Sequence, residues 1–517
     1  MHVLNNQTKL TVFFLLVLTF SSSVFSQQKT FNITGYGAKG DGITNNTLSI
    51  QKAIDDAGAQ GGGIVIVPEG RFLTGVISLK SNITLKLALN AVLLGSPSRP
   101  DYGAGDASPL VVAKDLQNVA ITGKGTIDGN GAELLKNLIE MLNAGTLKDT
   151  AWGKLNPWNQ MQPLESNRPK IIGFVNCKGV QIKGITLKNS LDWVEEYRNC
   201  VNMLVDSIKV ESNTYWNNDG IDLVDCKNVK LTNSFFNADD DGICLKSSDR
   251  KSSCENIYVA NCKVRSSASA IKMGTASRGG FKKIYIRDIE IYDTYRSAIA
   301  LECVDGGAMD DVDISNIHAV NTGNAVFIRI GHRNTDSVYS SINHVRISNV
   351  SVEIPNGKPD KGYPYEGPEV RYPHNTFPSA IVGLPGHPVQ NVLLKNIQII
   401  YKTDASKDVA KFGTDSIGKI PENPASYPEF SMFGEMPAWG FYARHATGIS
   451  FEHVTMSCTG NDFRPAGIFD DVNGLTLNGL NIPQVKSIPV ILLHSVTNQS
   501  FHNINIPGTD TNKIVIK

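Results

Sequence analysis

The sequence predicts an all-β chain wound as a right-handed parallel β-helix, a solenoid covered at its start by a short helical cap. Two observations carry this reading. Runs with an apolar residue at every second position recur along the chain, among them CKGVQIKGITLKN (177–189), CVNMLVDSIKVES (200–212), CKNVKLTNSFFN (226–237) and CENIYVANCKVRS (254–266). That period belongs to a strand with one buried face. The anchors Val180, Met203, Val229, Ile257, Ile284 and Val312 are 23, 26, 28, 27 and 28 residues apart, and a fixed period of this size is the signature of a solenoid. Most repeats have no helical pattern between them, so the coils are strands joined by turns, stacked about 4.8 Å apart. The leucine/asparagine consensus of a leucine-rich-repeat horseshoe is missing.

In chain order, Lys9, the apolar run Thr11–Phe20 and the small residues up to Ser26 read as a secretory signal peptide over residues 1–26. The apolar run is too short to span a bilayer. Residues 27–517 then form a single β-helix domain. TLSIQKAIDDAGAQ (47–60) has a helical pattern and would cap the first coil, whose strand edges are otherwise bare. Three stretches break the period: 129–170, with the helix-like AELLKNLIEMLNAG, and 355–388 and 402–445, rich in Pro, Tyr and Gly. In solenoids such insertions tend to build one face, often the binding face. Eight cysteines in an exported chain invite a disulfide reading. Three of them fall at one repeat position, which favours buried thiols stacked in a core. With 49 basic and 49 acidic residues the net charge is zero, which removes the electrostatic case for a nucleic-acid partner.

A second strand aligns in each coil: DGIDL (219–223), DGICL (241–245), SAIKM (269–273), SAIAL (297–301) and NAVFI (324–328). Their first residues form a column, Asp219, Asp241, Ser269, Ser297 and Asn324. Asp219 and Asp241 therefore sit on neighbouring coils, with backbones roughly 5 Å apart. Asp240, one residue earlier, points in another direction. Such a cluster must raise at least one pKa. A glycosidase needs that: one protonated acid for the leaving oxygen and one carboxylate to activate water or attack. A polar turn, or a cation site built from Asp219, Asp222, Asp239, Asp240 and Asp241, accounts for the same residues. Clustering alone leaves the readings level.

NNDGID (217–222) followed by ADDDGICLKSS (238–248) resembles the two acidic motifs of the polygalacturonases, glycoside hydrolase family 28, which read approximately NTDG-[IF]-D and G-x-DD-x-I-x-[IL]-K. Segments 36–55, 61–87 and 168–190 resemble the family's opening segment, the coil after it and the coil before the site. The resemblance implies that Asp240 is the general acid and that Asp219 and Asp241 share the water as general base. It gives Asn217 the orienting of a sugar hydroxyl or an aspartate. It also implies inversion at the anomeric carbon, with an acid–base separation of about 6.5–9.5 Å. Two further family motifs are altered. Ser269 stands where the family has the histidine of Gly-His-Gly, and IAL (299–301) stands where it has Arg-Ile-Lys.

Lys272, Arg278 and Arg296 lie on the coils just after the aspartates. Singly, each reads as a solvated surface side chain; together, beside an acidic cluster, they read as substrate-binding cations. Glu195 and Glu196, after Trp193, read as a solvated turn. The aromatic stretch 427–445, with Glu435, Arg444 and His445, reads equally as a cleft wall or a loop tucked over the core. The expectation is an exported, monomeric glycosidase, without metal or cofactor, acting on an α-linked acidic glycan of the pectin type other than plain polygalacturonan. The long insertions would favour exo action. The rivals are a calcium-dependent polysaccharide lyase with Lys272 or Arg278 as base, and a non-catalytic glycan-binding β-helix.

Overall fold

The computed structural model describes residues 29–368, 376–404, 407, 414–487, 489–508 and 513–516. The expected signal peptide lies outside these residues, as do parts of the two later insertions. The repeats stack as parallel strands in the expected register. Val180 pairs with Met203, Met203 with Val229, Val229 with Ile257, Ile257 with Ile284 and Ile284 with Val312. Each coil contributes three strands. In the central coils these belong to stacks typified by Val201–Asp206, Lys209–Ser212 and Ile221–Val224. Each stack is a parallel sheet, and alternation puts every second side chain into one continuous apolar interior.

The helix α1 (Thr47–Ala59) buries Ile50, Ala53, Ile54 and Ala57, the spacing of a single helical face. It packs against the strands Thr30–Asn32 and Gly63–Val67 and covers the first coils, as the sequence predicts. A second helix, α2 (Gly131–Asn143), begins the 129–170 insertion and buries Leu134, Leu138 and Leu142. The 402–445 insertion builds a second apolar cluster outside the solenoid. Ile420, Phe430 and Phe433 pack there on Phe327, Ala380 and Tyr442.

The turns are held by asparagine ladders. Asn202, Asn228 and Asn256 occupy one left-handed turn position, at φ of 59°, 54° and 57°. Asn228 donates to the Asn202 side chain at 3.0 Å, and Asn256 donates to Asn228 at 2.8 Å. Asparagine tolerates this backbone and carries both a donor and an acceptor for the coils on either side. Cys177, Cys200, Cys226 and Cys254 also stand in register, four thiols rather than three, and all eight cysteines are buried and free.

Asn228→Val should therefore cost about 2–3 kcal/mol, from the left-handed backbone and the broken ladder, and Asn228→Gly about 1 kcal/mol. Denaturant unfolding measures both, and equal costs would contradict the ladder account.

Candidate active site

The side chains that alternate outward from the third strand stack form a floor. In register they are Glu196, Asp222, Cys244, Lys272, Ala300, Phe327, Ala380 and Tyr442. The floor is polar through Lys272 and apolar after it, where the 402–445 insertion covers it. At the polar end lies an open cleft of about 280 Å³, near the lower end of the range for small-ligand sites.

Asp219 and Asp241 head the strand stack on neighbouring coils, because Ile221 pairs with Ile243. Gly220 N–H donates to the Asp241 carbonyl at 2.8 Å, and Gly242 N–H to Ser269 at 2.9 Å. The expected column is thus present. Asp219, Asp240 and Asp241 each place one carboxylate oxygen within 4.8 Å of the other two. The separation of 6.5–9.5 Å expected from the resemblance is not found between these nearest oxygens. Two consecutive residues and one on the adjacent coil, all facing a single cleft, bring their carboxylates close together.

The three stand in different fields. Burial is the largest influence on Asp241 and opposes its ionisation, but the Lys272 ammonium, 2.9 Å from its Oδ2, together with Lys246 and Arg296 outweighs burial and holds it below the usual carboxylate range. Ser269 N–H also donates to Asp241 Oδ1 at 3.1 Å. Asp240 is held up by burial and then by the charge on Asp241, against the pull of Arg296. Asn217, in the left-handed region at φ 60°, donates to Asp240 Oδ2 at 3.3 Å and accepts from Arg168 at 2.7 Å. Burial and then Asp222 push Asp219 well up, against Lys246, whose ammonium lies 2.8 Å from Asp219 Oδ2 and also contacts Asp222. Asp239 also lines the cleft but is held in a buried ion pair with Arg265 at 2.7 Å.

All three insertions supply walls. Trp158, Gln160, Gln162 and Glu165 come from the first, Gly367 and Pro368 from the second, and Tyr427 from the third. Trp193 and Trp216 line the cleft from the coils, and the ammoniums of Lys170 and Lys246 sit 3.9 and 4.0 Å from the Trp193 ring centroid.

Of the predicted binding residues, Asn217, Lys272 and Arg296 line the cleft. No hydrogen bond joins the Arg296 guanidinium to another described residue; its Nε lies 3.4 Å from Glu429. Arg278 does not line the cleft. It lies past the floor position of its strand, half exposed, and pairs with Asp336 at 3.4 Å beside Arg250. His445 bonds Asp471 and Glu422 and is likewise not a lining residue. Sequence reasoning missed Lys246, Trp193 and Trp216, and reached Tyr427 only within the 427–445 stretch. Lys246 stands in the quoted motif, two residues beyond Cys244, and its strand phase marks it as outward. Tyr427 opens the 427–445 stretch, for which the cleft-wall reading holds at this residue, although nothing in the sequence singles it out.

Comparison with known proteins follows the same lines. The profile of glycosyl hydrolases family 28 matches residues 63–360. A probable polygalacturonase from Vitis vinifera is 28% identical over 330 residues, 60% of this chain and 59% of that protein. An exo-poly-alpha-D-galacturonosidase from Dickeya chrysanthemi is 28% identical over 338 residues, 56% of this chain and 55% of that protein. The matched region thus spans less than two thirds of these relatives' own length. Among solved structures, the family 28 exopolygalacturonase of Yersinia enterocolitica superposes with a TM-score of 0.62 at 18% identity, over 92% of this chain and 78% of that one. A hyperthermoactive exopolygalacturonase from Thermotoga maritima gives 0.58 at 24% identity, over 83% and 91%. These two show the parallel β-helix fold.

Beneath the floor, Glu195 and Glu196 form a strand with Tyr197 and Arg198, not a solvated turn. Glu196 faces out and pairs with Lys170 at 2.6 Å. Glu195 faces in, between Ile172 and Ile221 in register, and accepts a 2.5 Å hydrogen bond from Tyr197. The strand's alternation, set by Tyr197, puts Glu195 inside. Burial pushes it up to about 8 from 4.5. Between these two values the folded chain holds a proton that the unfolded chain has released, so stability falls as pH rises through that window. Glu195→Gln should raise the unfolding temperature at pH 8 and change it little at pH 4.5. An unchanged difference between wild type and variant across that range would contradict a buried neutral carboxyl.

Proposed function

Because the chain belongs to glycosyl hydrolases family 28, and because its cleft holds one carboxyl pushed above the usual carboxylate range beside one held below it, we propose that it is an exported glycosidase cleaving α-linked, acidic glycans of the pectin type. The unequal environments of Asp240 and Asp241 carry the reading. Hydrolysis needs a proton for the departing oxygen and a charged carboxylate to take one from water. Asp240, held up by burial and by Asp241, is the acid. Asp241, held down by Lys272, is the base. Asp219 faces the same space and orients the water. Asp241 Oδ1 is engaged by a backbone N–H and Oδ2 by an ammonium, so a water at its remaining lone pairs is favoured over direct attack on carbon, and the anomeric configuration inverts.

Arg296 is the guanidinium placed to meet a sugar carboxylate: it lines the cleft, and its ion pair with Glu429 at 3.4 Å leaves it without a hydrogen bond to a described residue. The family's basic fourth motif is replaced by Ile299, Ala300 and Leu301, with Ala300 on the floor and its two neighbours in the core. One uronate beside a differently shaped neighbour suits this cleft better than a uniform polygalacturonan. The apolar floor beyond Ala300 is covered by the third insertion, which supports action at a chain end.

The lyase reading loses its base. Burial alone would lower Lys272, but Asp241, Tyr427 and Glu302 together outweigh it and keep the ammonium charged, and Arg278 pairs with Asp336. Lys246 and Lys272 already neutralise the carboxylates that calcium would need.

Incubation with a panel of pectic glycans, with product ends and anomers followed by NMR, tests the proposal. It predicts saturated products of inverted configuration released from chain ends with little loss of polymer viscosity. Unsaturated ends, or a retained configuration, would refute it. Asp240→Asn and Asp241→Asn should each lose about 10²–10⁴-fold in kcat. Asp219→Asn, which still orients water, should lose less.

A further inference from the structure

Tyr427 joins the outermost wall to the base. Its hydroxyl oxygen accepts a hydrogen bond from Lys272 Nζ at 2.9 Å, across 155 residues of sequence. That ammonium lies 2.9 Å from Asp241 Oδ2 and 3.8 Å from Glu302 Oε2. Lys272 is 1% exposed, so its N–H groups must find acceptors within the protein. By register Asp241 belongs to the coil before Lys272 and Glu302 to the coil after. The ammonium therefore stands between two competing carboxyl groups, and the tyrosine oxygen is its further acceptor. The ring of Tyr427 meets Trp158 edge-on at 5.6 Å and lies 5.5 Å from the Arg296 guanidinium. Trp158 belongs to the 129–170 insertion and Tyr427 to 402–445, so the two insertions touch at the cleft.

We propose that Tyr427 is a positioning residue for the base: its hydroxyl holds the Lys272 ammonium against Asp241, so that docking of the 402–445 insertion on the coils completes the catalytic ion pair. This rests on the reading of Asp241 as base. The coils supply the carboxylate and the lysine, and the insertion supplies the oxygen that keeps them together. Without that oxygen the ammonium satisfies its free N–H from Glu302. Asp241 then loses its closest cation and takes up a proton at higher pH.

Tyr427→Phe keeps the ring, its packing on Trp158 and its place beside Arg296, and removes the oxygen alone. In a crystal structure of this variant the Lys272–Glu302 contact should shorten into hydrogen-bonding range and the Lys272–Asp241 contact should lengthen. On the glycan turned over by the wild type, kcat should fall about tenfold while KM stays within about twofold. The acid limb of kcat/KM should move to higher pH, since Asp241 must be ionised to act. The double variant Tyr427→Phe/Glu302→Gln weakens the competitor and should bring the acid limb back towards the wild-type position. A Tyr427→Phe structure with Lys272 still seated on Asp241, or an unshifted pH profile, would overturn the proposal and leave Tyr427 a packing residue. The crystallographic arm reads out without turnover. A wild type inactive on every pectic glycan would sink the proposed function, while the position of Lys272 would still decide this inference.

Discussion

The stacking of parallel coils is the constraint on which the rest of the structure depends. Hydrogen bonds between coils hold equivalent residues about 5 Å apart for as long as the register lasts. Apolar residues at equivalent positions gain a continuous core from this. Ionisable residues gain neighbours they cannot escape. Asp222, Cys244 and Lys272 follow one another on the floor, and Asp219 and Asp241 head adjacent strands. The site comes from placing opposite and like charges on a ladder built for aliphatic side chains.

Enforced proximity makes the three aspartates unequal. Each is desolvated, so the charge each retains is decided by its cation. Lys272 serves Asp241, and Lys246 is divided between Asp219 and Asp222. Asp240 receives neither lysine at close range and has Asp241 as its immediate neighbour. The same logic extends to Asp239, whose buried pair with Arg265 takes it out of the chemistry. Carboxylates this close, with lysines between them, form a proton-sorting arrangement that needs no added ion to be electrostatically reasonable.

Much of the fold was legible because alternation and period are local properties. Val180, Met203 and Val229 reveal the register without any knowledge of distant contacts, and the helix at 47–59 shows its buried face in Ile50, Ala53, Ile54 and Ala57. The aspartate column was legible for the same reason. Arg278 misled because it lies past the floor position of its strand, where periodicity no longer fixes direction. Glu195 misled because its charge suggested solvent while its phase, shared with Tyr197, pointed inward. Tyr427 was legible only as the first residue of the 427–445 stretch, not as a partner of Lys272. Its partner Lys272 is 155 residues away, and only the docking of an insertion outside the repeat brings them together. Coils specify the carboxylates, and insertions specify how those carboxylates are enclosed.

The central claim is that the cleft holds a proton on Asp240 to higher pH than on Asp241. Neutron crystal structures of the unliganded protein over a pH series measure this directly. The account predicts that, as pH rises, the Asp240 carboxyl keeps deuterium after Asp241 has lost it, with a fully deuterated Lys272 ammonium between Asp241 and Tyr427. Deuterium on Asp241, with Asp240 bare, would contradict it.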